Sequence, residues 1–268
     1  MSTRTRILFF MTAWAIVLMP FLFWRSTWFG RQLSDAELNR YLHDSQKPRH
    51  IQHALVQIGE RIGRRDDSVA HWYPDLVWLA SHPVEEIRNT DAWVMGQDAS
   101  RPEFHQALLE LLHDSSANVR GNAALALVRF GDDSGRSQLL EMLKPAVITA
   151  PSTGIIVDSA KPGTTVRQNG TVSKLSADAK IFELRSPLTG RVAFAASRGA
   201  QVAANGEIAR IDPSTDQVWE ALRALYVVGR VEDLPAIRPY ERALPEMPER
   251  IREQAVASER AILQRAAK

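Results

Sequence analysis

The segment 150–175 is written a second time at 186–211, 36 positions on. Pro151 answers to Pro187, Thr153 to Thr189 and Gly154 to Gly190. Gly163 answers to Gly199, Val166 to Val202, and Asn169-Gly170 to Asn205-Gly206. Turn formers recur at fixed offsets, with β-branched and apolar residues between them. That pattern predicts a small β-module made of two interlocking halves. The Asn-Gly pairs suit tight turns that need positive φ, and Gly163 and Gly199 suit chain reversals.

A second periodicity, with a period of 32 positions, precedes it. Val84–Gly96 aligns with Ser116–Val128: Ile87-Arg88 with Val119-Arg120, Ala92 with Ala124, Met95 with Leu127. Their partner segments are 73–80, 105–112 and 137–143. Each unit reads as a helix pair that cannot bury its own apolar face, so neighbours must stack. After Pro145 the β-module replaces the next helix. The helical pattern then resumes at Val218–Ile237 and ends in a helix over about 248–266, with Ile251, Ala255, Ser258, Ile262 and Leu263 on one face. The β-module is therefore expected as an insertion into a helical array.

Upstream, Ser34 and Glu37 form a capping-box pattern with Leu33 and Leu38 as a staple. A helix over about 48–62 carries the stripe Ile51, Ala54, Ile58, Ile62. The run Ile7–Trp24 contains no charged residue and is long enough to span a hydrocarbon core as a helix. A cleaved signal peptide is the competing reading, but FLFWRSTWFG lacks a small-x-small cleavage site. The expectation is an uncleaved anchor and a single-pass bacterial inner-membrane protein whose body is extracytoplasmic, although flanking Arg4, Arg6, Arg25 and Arg31 orient it weakly.

Cysteine is absent, which excludes disulfides, thiol catalysis and Cys-ligated metals. The net charge is only +2, and no basic run supports nucleic-acid binding. His50 and His53 lie three apart on a helix, but no third ligand is near, so no metal is expected. Asp66-Asp67 and Asp132-Asp133 fall in loops, and Glu85-Glu86 in a helix's first turn, where acids complement the dipole. Trp72, Trp78, Trp93 and Trp219 read as core or inter-repeat packing residues; one exposed on the concave face would instead be a partner hot spot. No nucleophile motif or nucleotide-binding Gly loop is present, and no enzyme activity is expected.

The stretch VRGNAALALVRFGD (119–132) resembles the HEAT-repeat family, with its V-R-x-x-A-A-x-A-L and G-D elements, over roughly 69–145. Residues 148–213 resemble the biotinyl/lipoyl domain and the barrel-sandwich hybrid of periplasmic adaptor proteins, through Pro187, Gly190, Val192, Gly199, Val202, Gly206 and Ile208 and their first-half twins. In that family a modified lysine sits where this chain has Ala179. Lys180 comes one place late and outside the usual motif, and a one-residue shift reorients a strand side chain. An unmodified module and no cofactor are expected.

The resulting fold class is α+β: an N-terminal transmembrane helix and a HEAT-like α-solenoid with an inserted all-β barrel-sandwich hybrid module. The expected divisions are an anchor (1–31), juxtamembrane helices (32–68), HEAT-like repeats (69–147), the β-module (148–213) and C-terminal HEAT-like helices (214–268). The expected role is a non-catalytic, membrane-anchored adaptor for a protein partner in an envelope complex, for instance as a transporter accessory subunit. A carrier modified at Lys180 and an assembly factor for a membrane enzyme are the alternatives. Ala179, Lys180, Ile181 and Phe182, with Gly163 and Gly199, are the expected partner contacts.

Overall fold

The computed structural model describes residues 12, 14, 16, 18, 19, 31–242 and 247–267. The chain divides into two units, Met1–Val94 and Met95–Lys268.

In the first unit, α1 (Asp35–Leu42) opens on the capping box: the Ser34 backbone N–H donates to Glu37 Oε2 at 3.0 Å, and Glu37 N–H donates to Ser34 Oγ at 3.4 Å. Leu33 and Leu38 are both buried. Helix α2 (Pro48–Gly63) buries Ile51, Ala54, Leu55, Ile58 and Ile62 on one face. A 3-10 turn (Asp67–Trp72), capped by Asp66, leads into α3 (Tyr73–Leu79), and α4 (Glu85–Met95) follows.

In the second unit, α5 (Pro102–Leu111) packs on α6 (Ala117–Arg129), and α6 packs on α7 (Arg136–Glu141). Eight strands then intervene before α8 (Thr215–Val228), which packs back on α6 and α7. Ala124, Leu139, Leu143, Val218, Leu222 and Leu225 share one core across that interruption. A short turn of helix, α9 (Leu234–Ile237), precedes α10 (Glu249–Ala266). On α10, Ile251, Ala255, Ser258 and Ile262 are buried, and Ser258 Oγ donates to the Leu222 carbonyl at 2.8 Å. Leu263 is exposed instead, because one further residue rotates it about 100° off that stripe.

The strands are β1 (Ala146–Thr149), β2 (Gly154–Ser159), β3 (Thr165–Val166), β4 (Thr171–Ala177), β5 (Lys180–Arg185), β6 (Gly190–Ala195), β7 (Gln201–Val202) and β8 (Glu207–Pro213). They form two antiparallel sheets, ordered β1-β8-β6-β3 and β5-β4-β2-β7. Adding 36 to β2, β3 and β4 gives β6, β7 and β8. Each half lends its two-residue strand to the other half's sheet: β3 pairs with β6, and β7 with β2. The turns lock reciprocally. Thr189 Oγ1 accepts from Gln168 N–H, and its twin Thr153 Oγ1 accepts from Ala204 N–H, both at 3.1 Å. Ile156, Val172 and Leu175 of one sheet share a core with Val192, Ile208 and Ile211 of the other.

Two expectations are corrected. The β-module is not a closed barrel: each four-stranded sheet ends in an open edge, at β1 and β3 or at β5 and β7. The strands exchanged between halves are only two residues long, too short to stitch one sheet to the other. Second, among the described residues no helix is long and apolar enough to cross a membrane. The longest of them, α10, has 18 residues but carries seven charged side chains. A fold with an N-terminal transmembrane helix, and with it the single-pass inner-membrane placement, is withdrawn; most of Ile7–Trp24 lies outside the described residues.

Candidate functional site

The β4–β5 hairpin turns on Asp178 and Ala179, with φ of 49° and 58°. Two consecutive left-handed residues closing on the pair Ala177–Lys180 make the tight hairpin turn whose twist matches the strands. Neither residue is glycine, and a Cβ in that region costs about 1–2 kcal/mol. Strain held in a turn is an observation from which function can be argued. Ala179→Gly is expected to raise stability by about 1 kcal/mol, read as a higher denaturation midpoint at unchanged slope. An unchanged or lower midpoint would show that the turn is relaxed.

Beyond the turn, the register assigns faces. Ile181, Ser176 and Ile155 pair directly across β5, β4 and β2 and so share one face. Ile181 is 65% and Ile155 51% exposed. Phe182, Leu175 and Ile156 pair on the opposite face, where Phe182 packs against the core. The expected contact segment Ala179–Phe182 is thus split. Ala179, Lys180 and Ile181 are presented to solvent, and Phe182 is turned inward. The next outward row is charged, with Lys174 Nζ 3.8 Å from Glu183 Oε1 and Asp158 beside Lys174.

Gly163 and Gly199 have φ of 88° and 86°, as chain reversals require. Gly199 N–H donates to the Ile156 carbonyl on the hairpin's own sheet, whereas Gly163 N–H donates to the Val192 carbonyl on the other sheet. The structure therefore groups Gly199 with the hairpin sheet and places Gly163 elsewhere. Sequence reasoning missed Ile155. Its twin in the second half is Arg191, and an apolar residue where the duplicate carries a charge was the available signal.

In the helices, chemistry-bearing side chains serve local structure. Arg88 Nη1 donates to the carbonyls of His82 and Pro83, at 2.8 and 3.1 Å. Arg120 Nη1, at the same place in the next repeat, donates to those of Asp114 and Ser115, at 2.7 and 3.0 Å. Each arginine ties its helix to the turn before it. His50 Nδ1 meets Asp44 Oδ2 at 2.7 Å while its ring stacks on Tyr41. Burial, then His50 and Arg31, holds the His53 imidazole below its usual range. Among the described residues no cluster of three His, Asp or Glu could hold a metal ion. Asp132 meets His105 Nε2 at 2.6 Å and accepts from Ser134 N–H at 2.7 Å. Burial opposes ionisation there, but these contacts outweigh it and hold the Asp132 carboxyl below the ordinary range. Trp72 is buried under the Arg61 guanidinium, and Trp219 is half-buried against Arg250. Trp78 is 61% exposed, which the packing reading did not anticipate.

No curated protein matches the chain. A crystal structure of an engineered protein is similar over 85% of this chain and 78% of that one, at 14% identity and a TM-score of 0.41, too low to bear on fold or function. Residues 73–148 match the family model described as HEAT repeats. The helix pairs carrying Arg88 and Arg120 lie within that match, and HEAT repeats point to protein–protein interaction.

Proposed function

We propose that the protein is a non-catalytic scaffold for a protein partner, and that the β-module is its second recognition element beside the HEAT repeats. The observation that carries the reading is the outward row Ile155–Ser176–Ile181 next to the strained turn at Asp178-Ala179. Exposed isoleucines on a sheet face gain by being covered, at roughly 25 cal/mol per Å² of apolar area. The engagement of His50, His105, Asp132, Arg88 and Arg120 in local structure supports a non-catalytic role. The adaptor resemblance implies an envelope complex, such as a transporter, as the first client to look for.

The test is purification from the native host with identification of what comes with it, repeated with Ile155→Asp, Ile181→Asp and, as a control, Phe194→Asp on the other sheet. The first two are expected to reduce recovery of the same partner at least tenfold, with the control unchanged. Equal recovery from all three would remove the hairpin sheet from the interface. Intact-mass measurement of the same material is expected to show no adduct; a shift mapping to Lys180 would replace the scaffold reading with a carrier.

A further inference from the structure

Among the described residues, helix α2 has a second face that its own unit flanks but does not bury. Its buried stripe runs through Ile51, Leu55, Ile58 and Ile62. The opposite face opens on a groove of about 1070 Å³. One wall is the stretch Arg31–Leu33, pinned to α2 where Leu33 N–H donates to Gln57 Oε1 and Gln57 Nε2 donates to the Arg31 carbonyl, both at 2.8 Å. Thr90 of α4 lies on the other side, and Val56, 38% exposed, lies between.

The charges are unevenly spent. Arg61 is neutralised by Asp35 and Asp66, each at 2.7 Å. Among the described residues Arg64 pairs only with Glu60, at 3.3 Å, with both side chains more than half exposed, a pairing worth little in water. Arg49 has no ion pair among the described residues. At 1.5 Å per residue, Arg49 and Arg64 stand about 22 Å apart along α2, with Val56 near the midpoint. That length and volume suit a segment of polypeptide better than a small anion. A nucleic acid, with a charge every few ångströms, would leave the apolar centre unmatched.

We propose that this groove receives an acidic, amphipathic segment of a protein partner, with an apolar side chain over Val56 and carboxylates at Arg49 and Arg64. The proposal rests on the scaffold reading only in taking a protein as the ligand, and it concerns a surface separate from the β-module.

The experiment uses the full chain and a fluorescein-labelled helical peptide, followed by anisotropy. The peptide has about 18 residues, enough to match that span as a helix, with Glu at both ends and Leu at its centre. Saturable binding that weakens as salt rises is expected. Arg49→Glu combined with Arg64→Glu, and separately Val56→Asp, should each weaken it at least tenfold. Arg49→Gln with Arg64→Gln should lie between, and a melt confirms that each variant folds. Ile181→Asp should leave peptide binding unchanged, which separates failure of this groove from failure of the β-module reading. The proposal is overturned if no saturable binding occurs, if a peptide with Gln for Glu binds equally, or if the arginine variants bind like the parent. It is equally overturned if an oligonucleotide or anionic phospholipid vesicles displace the peptide while neutral vesicles do not.

Discussion

Gly190→Ala is expected to cost on the order of 3 kcal/mol or more and to unfold the β-module first. A Cβ built on Gly190 would lie 2.0 Å from the Asp212 carbonyl oxygen and 2.8 Å from Leu188 Cδ1. The carbonyl belongs to β8, which pairs with β6 at this point, so it cannot retreat without breaking the ladder. Overpacking against movable side chains costs about 1–3 kcal/mol, and here the obstacle is backbone. The twin Gly154→Ala meets the Ser176 carbonyl at 2.4 Å and should behave alike. Gly199→Ala is the control: it meets open space, and only its φ of 86° opposes a side chain. Its cost should be nearer about 1–2 kcal/mol. Chemical denaturation of the three variants gives the ranking. Equal costs would mean that the paired strands are not drawn so close together at Gly154 and Gly190.

Asp91→Ala is expected to stabilise the protein at pH 7, by on the order of 1–3 kcal/mol. Asp91 lies on α4, is fully buried, and among the described residues neither carboxylate oxygen has a hydrogen-bond partner. Its counterpart in the next repeat is Ala123, equally buried, so the repeat already accommodates alanine there. Burial alone pushes the Asp91 carboxyl well above the ordinary carboxylate value of 3.8. The sign follows from linkage. Because the folded state holds the proton more tightly than the unfolded chain, stability is greatest below pH 3.8 and falls as pH rises towards the raised folded value, then levels. Relative to Asp91→Ala, the parent should therefore lose stability as pH is raised from about 3.8 to neutrality. Thermal or urea melts across that range check it. A parent that instead gains on the variant with rising pH would show that Asp91 is ionised and paired in the fold.

Much of the architecture was legible because its signals are local. The capping box at Ser34, the turn residues Asn169 and Asn205 with φ of 61° and 63°, and the helix ends around α2 and α10 each depend on a few neighbouring residues. Arginine recurring at a fixed interval marked a repeated contact, and Arg88 and Arg120 make it to matching carbonyls. The candidate site was only half legible. Alternation along β5 shows that Ile181 and Phe182 face opposite ways, but not which one faces out. That choice belongs to the register with Ser176 and Leu175 on β4 and, through them, with Ile155 and Ile156 on β2, well back along the chain. The groove on α2 was hidden for a similar reason: nothing in the helix's own sequence joins Arg49, Val56 and Arg64 to Arg31–Leu33 and α4, which supply its sides.

The sequence by itself determined two repeats, the interval of each, and the turns and caps that punctuate them, since backbone preferences act between near neighbours. Only the tertiary structure decided that the halves exchange strands yet leave the sheet edges open, that Asp91 is sealed away with no hydrogen-bond partner among the described residues, and that Ile155 joins Ile181 on one face. Those outcomes depend on which distant segment covers a given surface, and burial of that kind is a property of the packed chain rather than of any stretch of it.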